Sequence, residues 1–316
     1  MDRDAEQEVV RRAYAKRIMA ASGVSDRRIE AAFALVKRED FLGRGPWQVV
    51  RWGRGYVATP TSNPVYLYDD VVVGIIPERH LNNGQPSLHA SLIASVAPRM
   101  GEHAVHIGAG VGYYTAILHR LVGRRGRLTA IELDPRLAAR LTANFAGARN
   151  VQVIPGDGAR VAFDIADIIY ISAGATKPAE AWLDQLAEGG RLILPLTTAR
   201  FPDGDAQQGA VFRIERRGDD FLARRVSGVA IFPCEGMRDA ESEAALASAF
   251  KTGRVNGGTM CRRRIAGCVG RVGLLPIARR SREQSFAMAR SAAHPGRSTR
   301  RRLSRSAALF SGPSST

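Results

Sequence analysis

Cysteine is nearly missing from this chain of 316 residues: there are three, Cys234, Cys261 and Cys268. Their spacing matches neither a zinc site nor a disulfide framework. That excludes a small stapled scaffold and points to a reducing, cytoplasmic setting. Aromatic residues make up 7%, so the core has to be built mainly from Ala, Val, Leu and Ile. No stretch approaches the roughly 18 consecutive apolar residues of a membrane span, and no membrane partner is expected. The charged opening, MDRDAEQEVVRRAYAKR, lacks the apolar stretch of a secretory signal. Acidic residues and lysine are scarce in one place only. Val255 to Thr316 holds thirteen Arg, one Glu, no Lys and no Asp, and so carries +12 of the net +16. The body is close to balanced, which argues against a nucleic-acid binder. Contact of the tail with RNA or DNA would be non-specific.

What is present is a change of period. Glu6 to Ala21 places Val9, Val10, Ala13, Ile18 and Met19 at helical intervals. Ser25 and Asp26 cap a second helix to about Val36, with Ile29, Ala32, Phe33 and Val36 on one face. Gly43 to Asn83 is loop-like and holds Trp47, Trp52, Tyr56, Tyr66 and Tyr68. These aromatics read either as local packing or as a lid over a site. From Pro86 onward helices alternate with short apolar strands. Helices are expected over Ser87–Ala97, Tyr114–Val122, Pro135–Ala146 and Pro178–Ala187, the last ended by Gly189 and Gly190. Strands are expected over Ala104–Ile107, Arg127–Leu133, Val151–Ile154, Ile168–Ser172 and Arg191–Leu196. Such alternation predicts an α/β fold with a doubly wound, mostly parallel sheet. N-terminal helices precede it. GAVFRIERRGDDFLARRVSGVAIFP adds an antiparallel hairpin turning at Gly218-Asp219-Asp220. Three regions follow: 1–85, helical and loop-rich, packing on the core; 86–240, the core; and 241–316, an extension. From about residue 254 patterned sequence stops, as in a disordered segment or the product of a shifted reading frame.

Chemistry concentrates in VHIGAGVGYYTA, where a strand runs through Gly108, Ala109, Gly110 and Gly112 into a helix. Glycines at such a turn let backbone approach a ligand closely, and the helix start offers free N–H groups. Glu132 ends the next strand in AIELDP, twenty residues after Gly112, where a carboxylate can accept from both hydroxyls of a ribose. Gly156-Asp157-Gly158 ends the third strand. It is placed to meet an adenine amino group, or forms a plain turn with Asp bonding its own backbone. A nicotinamide dinucleotide is disfavoured, because the fingerprint's third glycine falls on Tyr113. His80, His89, His103 and His106 are scattered. They show no Ser-His-Asp set and no metal-ligand spacing, so packing or capping is expected of them and no metal.

The succession VHIGAGVGYYTA, AIELDP, VIPGDG, ADIIYISAGA and LAEGGRLILPL resembles the motifs of the protein-L-isoaspartate (D-aspartate) O-methyltransferase family. The resemblance starts near Val24 with VSDRRIEAAFALVKREDFL, continues through YLYDDVVVGI and NNGQPSLHA, and ends at VAIFPCEG, roughly residues 24 to 240. Single motifs are common to many methyltransferases, whereas their order with the N-terminal segment is specific. The resemblance implies a Rossmann-like fold and S-adenosyl-L-methionine as cofactor. It also implies methyl transfer to a protein or peptide carboxylate, that of an isoaspartyl residue, in protein repair. By correspondence His106, Gly108, Ala109, Gly110 and Gly112 hold the methionine part, Glu132 the ribose, and Asp157 with Gly158 the adenine. Asn82–Ala90 is the acceptor loop, with Gly84, Gln85 and Pro86 as its catalytic positions and Asn83, Ser87 and His89 facing substrate. A carboxylate with a pKa near ~4 is already ionised at neutral pH and needs no general base. The task is alignment and exclusion of water. A monomer is expected.

Two positions depart from the family. Gly84 stands where its loop carries a serine two residues before the proline. That removes a hydrogen bond worth roughly 0.5–1.5 kcal/mol, with Ser87 or Asn83 as substitute donors. On that reading Gly84→Ser should raise activity. His106 stands where an acid usually precedes the first glycine. Alternatives therefore stay open: an O-methyltransferase for another peptide or small-molecule carboxylate, or a cofactor-binding protein without turnover.

Overall fold

A computed structural model describes residues 3–51, 53–198, 207–231, 233–252 and 257–261. Helices α1 (Arg3–Ser22) and α2 (Arg27–Leu35) open the chain. Asp26 starts α2 by accepting from the Arg28 N–H at 2.8 Å, as the Ser25–Asp26 cap signal predicts. Ile29, Ala32 and Phe33 share a core with Tyr14, Ala15 and Ile18 of α1. A short α3 (Arg38–Leu42) follows. The stretch read as a loop contains two small antiparallel ribbons. One pairs β1 (Gln48–Arg51) with β2 (Gly55–Ala58), the other β3 (Gly74–Ile76) with β4 (Leu81–Asn82). Strands this short leave too few residues for alternation to register in sequence.

The remaining elements are α4 (Pro86–Val96), β5 (His103–Ile107), α5 (Tyr113–Val122), β6 (Arg127–Glu132), α6 (Pro135–Asn144) and β7 (Val151–Pro155). Then come β8 (Ala166–Ile171), α7 (Glu180–Asp184), β9 (Leu186–Thr197), β10 (Gln207–Arg217), β11 (Asp220–Ile231), α8 (Ala240–Lys251) and β12 (Gly257–Cys261). They form one sheet in the order β12-β11-β10-β9-β8-β5-β6-β7. β9, β8, β5, β6 and β7 run parallel, and β10 to β12 extend the sheet antiparallel. Alternation along the strands divides the core between two faces. Ala104, Leu128, Ala130 and Ile168 pack with the helices α1, α2, α4 and α5. Val105, Ile107, Ile131 and Ile169 meet Trp182 and Phe163 on the other face.

Chain direction reverses at the centre. From β5 the chain moves outward through β6 to β7, then returns to β8 on the other side of β5. Connections leaving these two central strands diverge, so a crevice opens at their carboxyl ends.

Two expectations change. The helix expected over Pro178–Ala187 shrinks to α7, because parallel pairing of Ala166 with Leu186 already commits that residue to β9. Gly189 and Gly190 therefore lie inside a strand. The disorder expected from about residue 254 is interrupted by β12, whose Gly257–Cys261 pair with Asp220–Arg224. The rest of the basic tail, 262–316, lies outside the described residues.

Candidate active site

An open cleft of about 280 Å³ lies beyond the carboxyl ends of the four strands β5 to β8. Its floor is the turn after β5. Gly108 and Gly110 have φ of +70° and +58°, a region L side chains rarely adopt. The N–H groups of Gly108 and Ala109 both donate to Ile131 O, at 2.9 and 3.1 Å, which ties the turn to β6.

Glu132 ends β6 and is 8% exposed. Its Oε2 accepts from Gly110 N at 2.7 Å, and its Oε1 accepts from Asp134 N at 2.9 Å. Burial lifts this carboxyl above its usual range, while the Asp134 and Gly110 N–H groups pull it back. An ionised carboxylate has about four acceptor sites. The backbone fills two and locks the rotamer, and the remaining two stay available for a pair of hydroxyls.

Asp157 and Gly158 line the cleft beyond β7. Asp157 Oδ1 accepts from Ala159 N at 2.9 Å, so the residue both makes its own turn and forms part of the wall. A Cβ on Gly158 would lie 2.3 Å from Ile107 Cγ2, and Trp182 Nε1 holds the Gly158 carbonyl at 2.8 Å. Glycine is required there by packing from behind.

Three predicted cofactor residues lie elsewhere. Ala109 is buried behind the turn. Gly112 caps α5, and a Cβ there would lie 2.6 Å from Phe145 Cε2 and 2.7 Å from Leu141 Cδ1. It serves the packing of α6 and does not line the cleft. His106 is 1% exposed, its Nδ1 2.8 Å from Thr115 Oγ1 and its Nε2 2.9 Å from Ser172 Oγ. It reaches the cleft only through Ser172. Burial drops its pKa to about 3, so at neutral pH it is an uncharged group where the family has an acid.

The sequence missed other parts of the wall: Ile75, Arg79, Asp134, Ser172, Cys234 and Glu235. Four carboxylates, those of Glu132, Asp134, Asp157 and Glu235, line the cleft with one cation, Arg79, which pairs with Asp134, while Arg160 outside the wall pairs with Asp157 at 3.3 Å; Glu132 and Glu235 form the surplus. Such a surplus favours a cationic ligand and opposes phosphates. Burial, with Asp157 and Glu235 nearby, pushes the Cys234 thiol up to about 12. Its thiolate is therefore not populated near neutrality.

The aromatic lid does not form among the described residues. Trp47 and Tyr68 are buried, and Tyr56 accepts from Asn82 Nδ2 at 3.3 Å; none of them lines the cleft. Trp52 lies outside the described residues. The same segment instead contributes Ile75, Arg79 and Leu81.

The predicted acceptor loop leaves the cleft wall at Leu81–Asn82 and runs into α4. Asp70 organises it. Its Oδ1 accepts from Ser87 N at 2.8 Å, and its Oδ2 from Ser87 Oγ at 2.6 Å and Gln85 Nε2 at 2.9 Å. Ser87 is therefore not the substitute donor, since its proton is already committed. Pro86 opens α4, where a missing N–H costs nothing. Asn83 is 7% exposed, and its Nδ2 is enclosed without a hydrogen-bond partner among the described residues. Gly84 has φ +67°, and a Cβ there would lie 2.3 Å from Nε2 of His89. A serine at 84 thus meets both a disfavoured backbone and the imidazole, which reverses the expectation that Gly84→Ser raises activity. His89 is 6% exposed, packed face to face on Tyr114 with ring centroids 3.6 Å apart.

With this geometry in hand, comparison with known proteins is direct. The family model described as protein-L-isoaspartate(D-aspartate) O-methyltransferase matches residues 8–236. A protein-L-isoaspartate O-methyltransferase of Thermotoga maritima is 31% identical over 185 residues, covering 57% of this chain and 53% of that protein. The chain thus spans about half the length of that relative. One from Methanoregula boonei is 30% identical over 223 residues, covering 69% of this chain and 89% of its own length. Among solved structures, a protein-L-isoaspartate O-methyltransferase matches with a TM-score of 0.57 at 25% identity. That match covers 76% of this chain and 69% of the other.

Proposed function

The chain belongs to the protein-L-isoaspartate(D-aspartate) O-methyltransferase family, and on that premise we propose that it methylates a carboxylate, that of an L-isoaspartyl residue in a damaged protein. S-adenosyl-L-methionine, when bound, supplies an electrophilic methyl on a sulfonium. The cleft fits that cofactor on its own evidence. Glu132 is held by two backbone N–H groups with acceptor capacity left for the ribose hydroxyls. Gly108 and Gly110 keep the floor free of side chains, and Asp157 with Gly158 forms the wall for the base. The observation that carries the reading is the acidic surplus around a preorganised Glu132, which suits a sulfonium and an amine and repels a pyrophosphate.

The chain's own residues then have a positional task. The acceptor carboxylate arrives ionised, so no proton has to be removed. Asp70 fixes Gln85 and Ser87, giving the loop one conformation beside the cleft and supplying proximity rather than acid–base chemistry. Cys234 is a free thiol, which suits a reducing, cytoplasmic compartment.

Gly84 at the serine position favours a second reading, in which the acceptor is another peptide or small-molecule carboxylate. The full chain incubated with methyl-labelled S-adenosyl-L-methionine and an isoaspartyl peptide should yield a base-labile methyl ester. Label reaching only other carboxylates would select the second reading. Saturable cofactor binding by calorimetry with no transfer at all would leave a binding protein without turnover.

A further inference from the structure

We infer that the Ser172 hydroxyl donates to the carboxylate at the amino-acid end of the cofactor, its proton turned into the cleft by His106. This rests on the reading of Glu132 as the ribose acid and of Asp157 as the wall for the base. Glu132 ends β6, Asp157 follows β7, and Gly108 follows β5. Ser172 follows β8, the next strand in the row β8-β5-β6-β7. A ligand with its base over β7 and its ribose over β6 therefore extends its remaining part toward β5 and β8. Ser172 lines the cleft at that end, anchored by donation of its N–H to Ile107 O at 2.9 Å. Its carbonyl oxygen lies 3.8 Å from the place of a Cβ on Gly108.

Hydrogen bonds behind the cleft fix the direction of that proton. Thr115 is fully buried, and its hydroxyl has one partner among the described residues, His106 Nδ1 at 2.8 Å. The threonine proton is satisfied only by donation to that nitrogen. Burial drops the imidazole to about 3, so it is neutral at physiological pH. A neutral imidazole accepting at Nδ1 carries its own proton on Nε2. Nε2 lies 2.9 Å from Ser172 Oγ and donates to it. The serine thus accepts inward, and its own proton, without a partner among the described residues, faces the cleft. An ionised acid at 106 would reverse this order, taking the serine proton and leaving only lone pairs toward a ligand. Lone pairs suit the ammonium of the amino acid, which the surplus acids of the cleft already favour. The carboxylate is the group that such a wall repels, and an outward O–H offsets that repulsion.

Calorimetry on the full chain with S-adenosylhomocysteine, and with the same molecule lacking its carboxylate, tests the contact. Ser172→Ala should weaken S-adenosylhomocysteine binding about 10-fold and leave the decarboxylated analogue within about a factor of two. Ser172→Thr, which keeps the O–H, should restore most of the loss. Nitrogen-15 spectra of the unliganded chain should show the His106 proton on Nε2. Equal losses for both ligands in Ser172→Ala, no loss for either, or a His106 proton on Nδ1 overturns the assignment. So does a Ser172→Ala enzyme whose isoaspartyl-peptide KM rises while its cofactor affinity holds, since the hydroxyl would then meet the acceptor. Failure of the wild type to bind either ligand would sink the assignment together with the reading of Glu132 and Asp157. Absence of methyl transfer by a wild type that binds normally would count against the proposed function alone.

Discussion

The two ends of the central sheet hold carboxylates that are about equally buried and put to opposite use. At the amino end Glu102 meets Arg191 of β9 twice, at 2.8 and 2.9 Å, with side chains 12% and 7% exposed. The same guanidinium holds Val96 O at 3.0 Å, fastening the end of α4 to the sheet. Nearby, Asp167 accepts from His103 N at 2.9 Å, and the His103 ring bridges Ile165 O and Thr129. At the carboxyl end Glu132 is held by two backbone N–H groups and has no ion-pair partner among the described residues. A carboxylate matched by a guanidinium is saturated and serves as a clamp. One oriented by backbone keeps both its charge and half its acceptor sites, and that remainder is the capacity of a binding site.

Cutting the clamp tests the contrast most severely. Arg191→Leu strands Glu102 in a buried position and should lower stability by about 3–5 kcal/mol in urea unfolding. Cofactor affinity of the folded fraction should stay within a factor of two. An affinity loss as large as the stability loss would mean that the two ends are not separate. At the other end, Glu132→Gln removes charge and one acceptor. It should weaken S-adenosylmethionine binding about 10–100-fold by calorimetry, in line with about 1.5–3 kcal/mol for a hydrogen bond to a charged group. Unchanged affinity would remove Glu132 from the site.

The smallest effect concerns the imidazoles behind the cleft. Burial drops His89 and His106 to about 3, with His106 and Arg38 adding to the effect on His89. Their unfolded value is near ~6.5, so between these limits the unfolded chain binds protons that the folded chain does not. Stability is therefore full above pH ~6.5 and falls as pH drops, by about 1 kcal/mol per histidine between pH ~6.5 and ~5.5. Urea midpoints at the two pH values give the sum, and His106→Gln should remove about half of the difference. A midpoint that does not change would show that both imidazoles titrate normally.

The parallel sheet was legible because every strand of it is apolar and bounded by turns, and because Glu132 and Asp157 follow strands at their carboxyl ends. The β1–β2 and β3–β4 ribbons were not, being too short to show a period. Arg79 and Ile75, which line the cleft, come from that unread segment. Gly112 was misplaced because glycine at a turn is demanded equally by a ligand and by a neighbouring helix. Only the positions of Phe145 and Leu141 tell which. Asp70, within YLYDDVVVGI, carries no local signal of its role, since its partners Gln85 and Ser87 are fifteen and seventeen residues away.

Local sequence thus determined the succession of elements, the glycine turn and the acid that ends β6, because each depends on residues adjacent in the chain. Tertiary structure alone decided which glycines face the cleft, which acids are neutralised, and that His89 fills the space beside Gly84. Those outcomes depend on side chains brought together from distant strands and helices, and a linear pattern carries no record of which side chain arrives first.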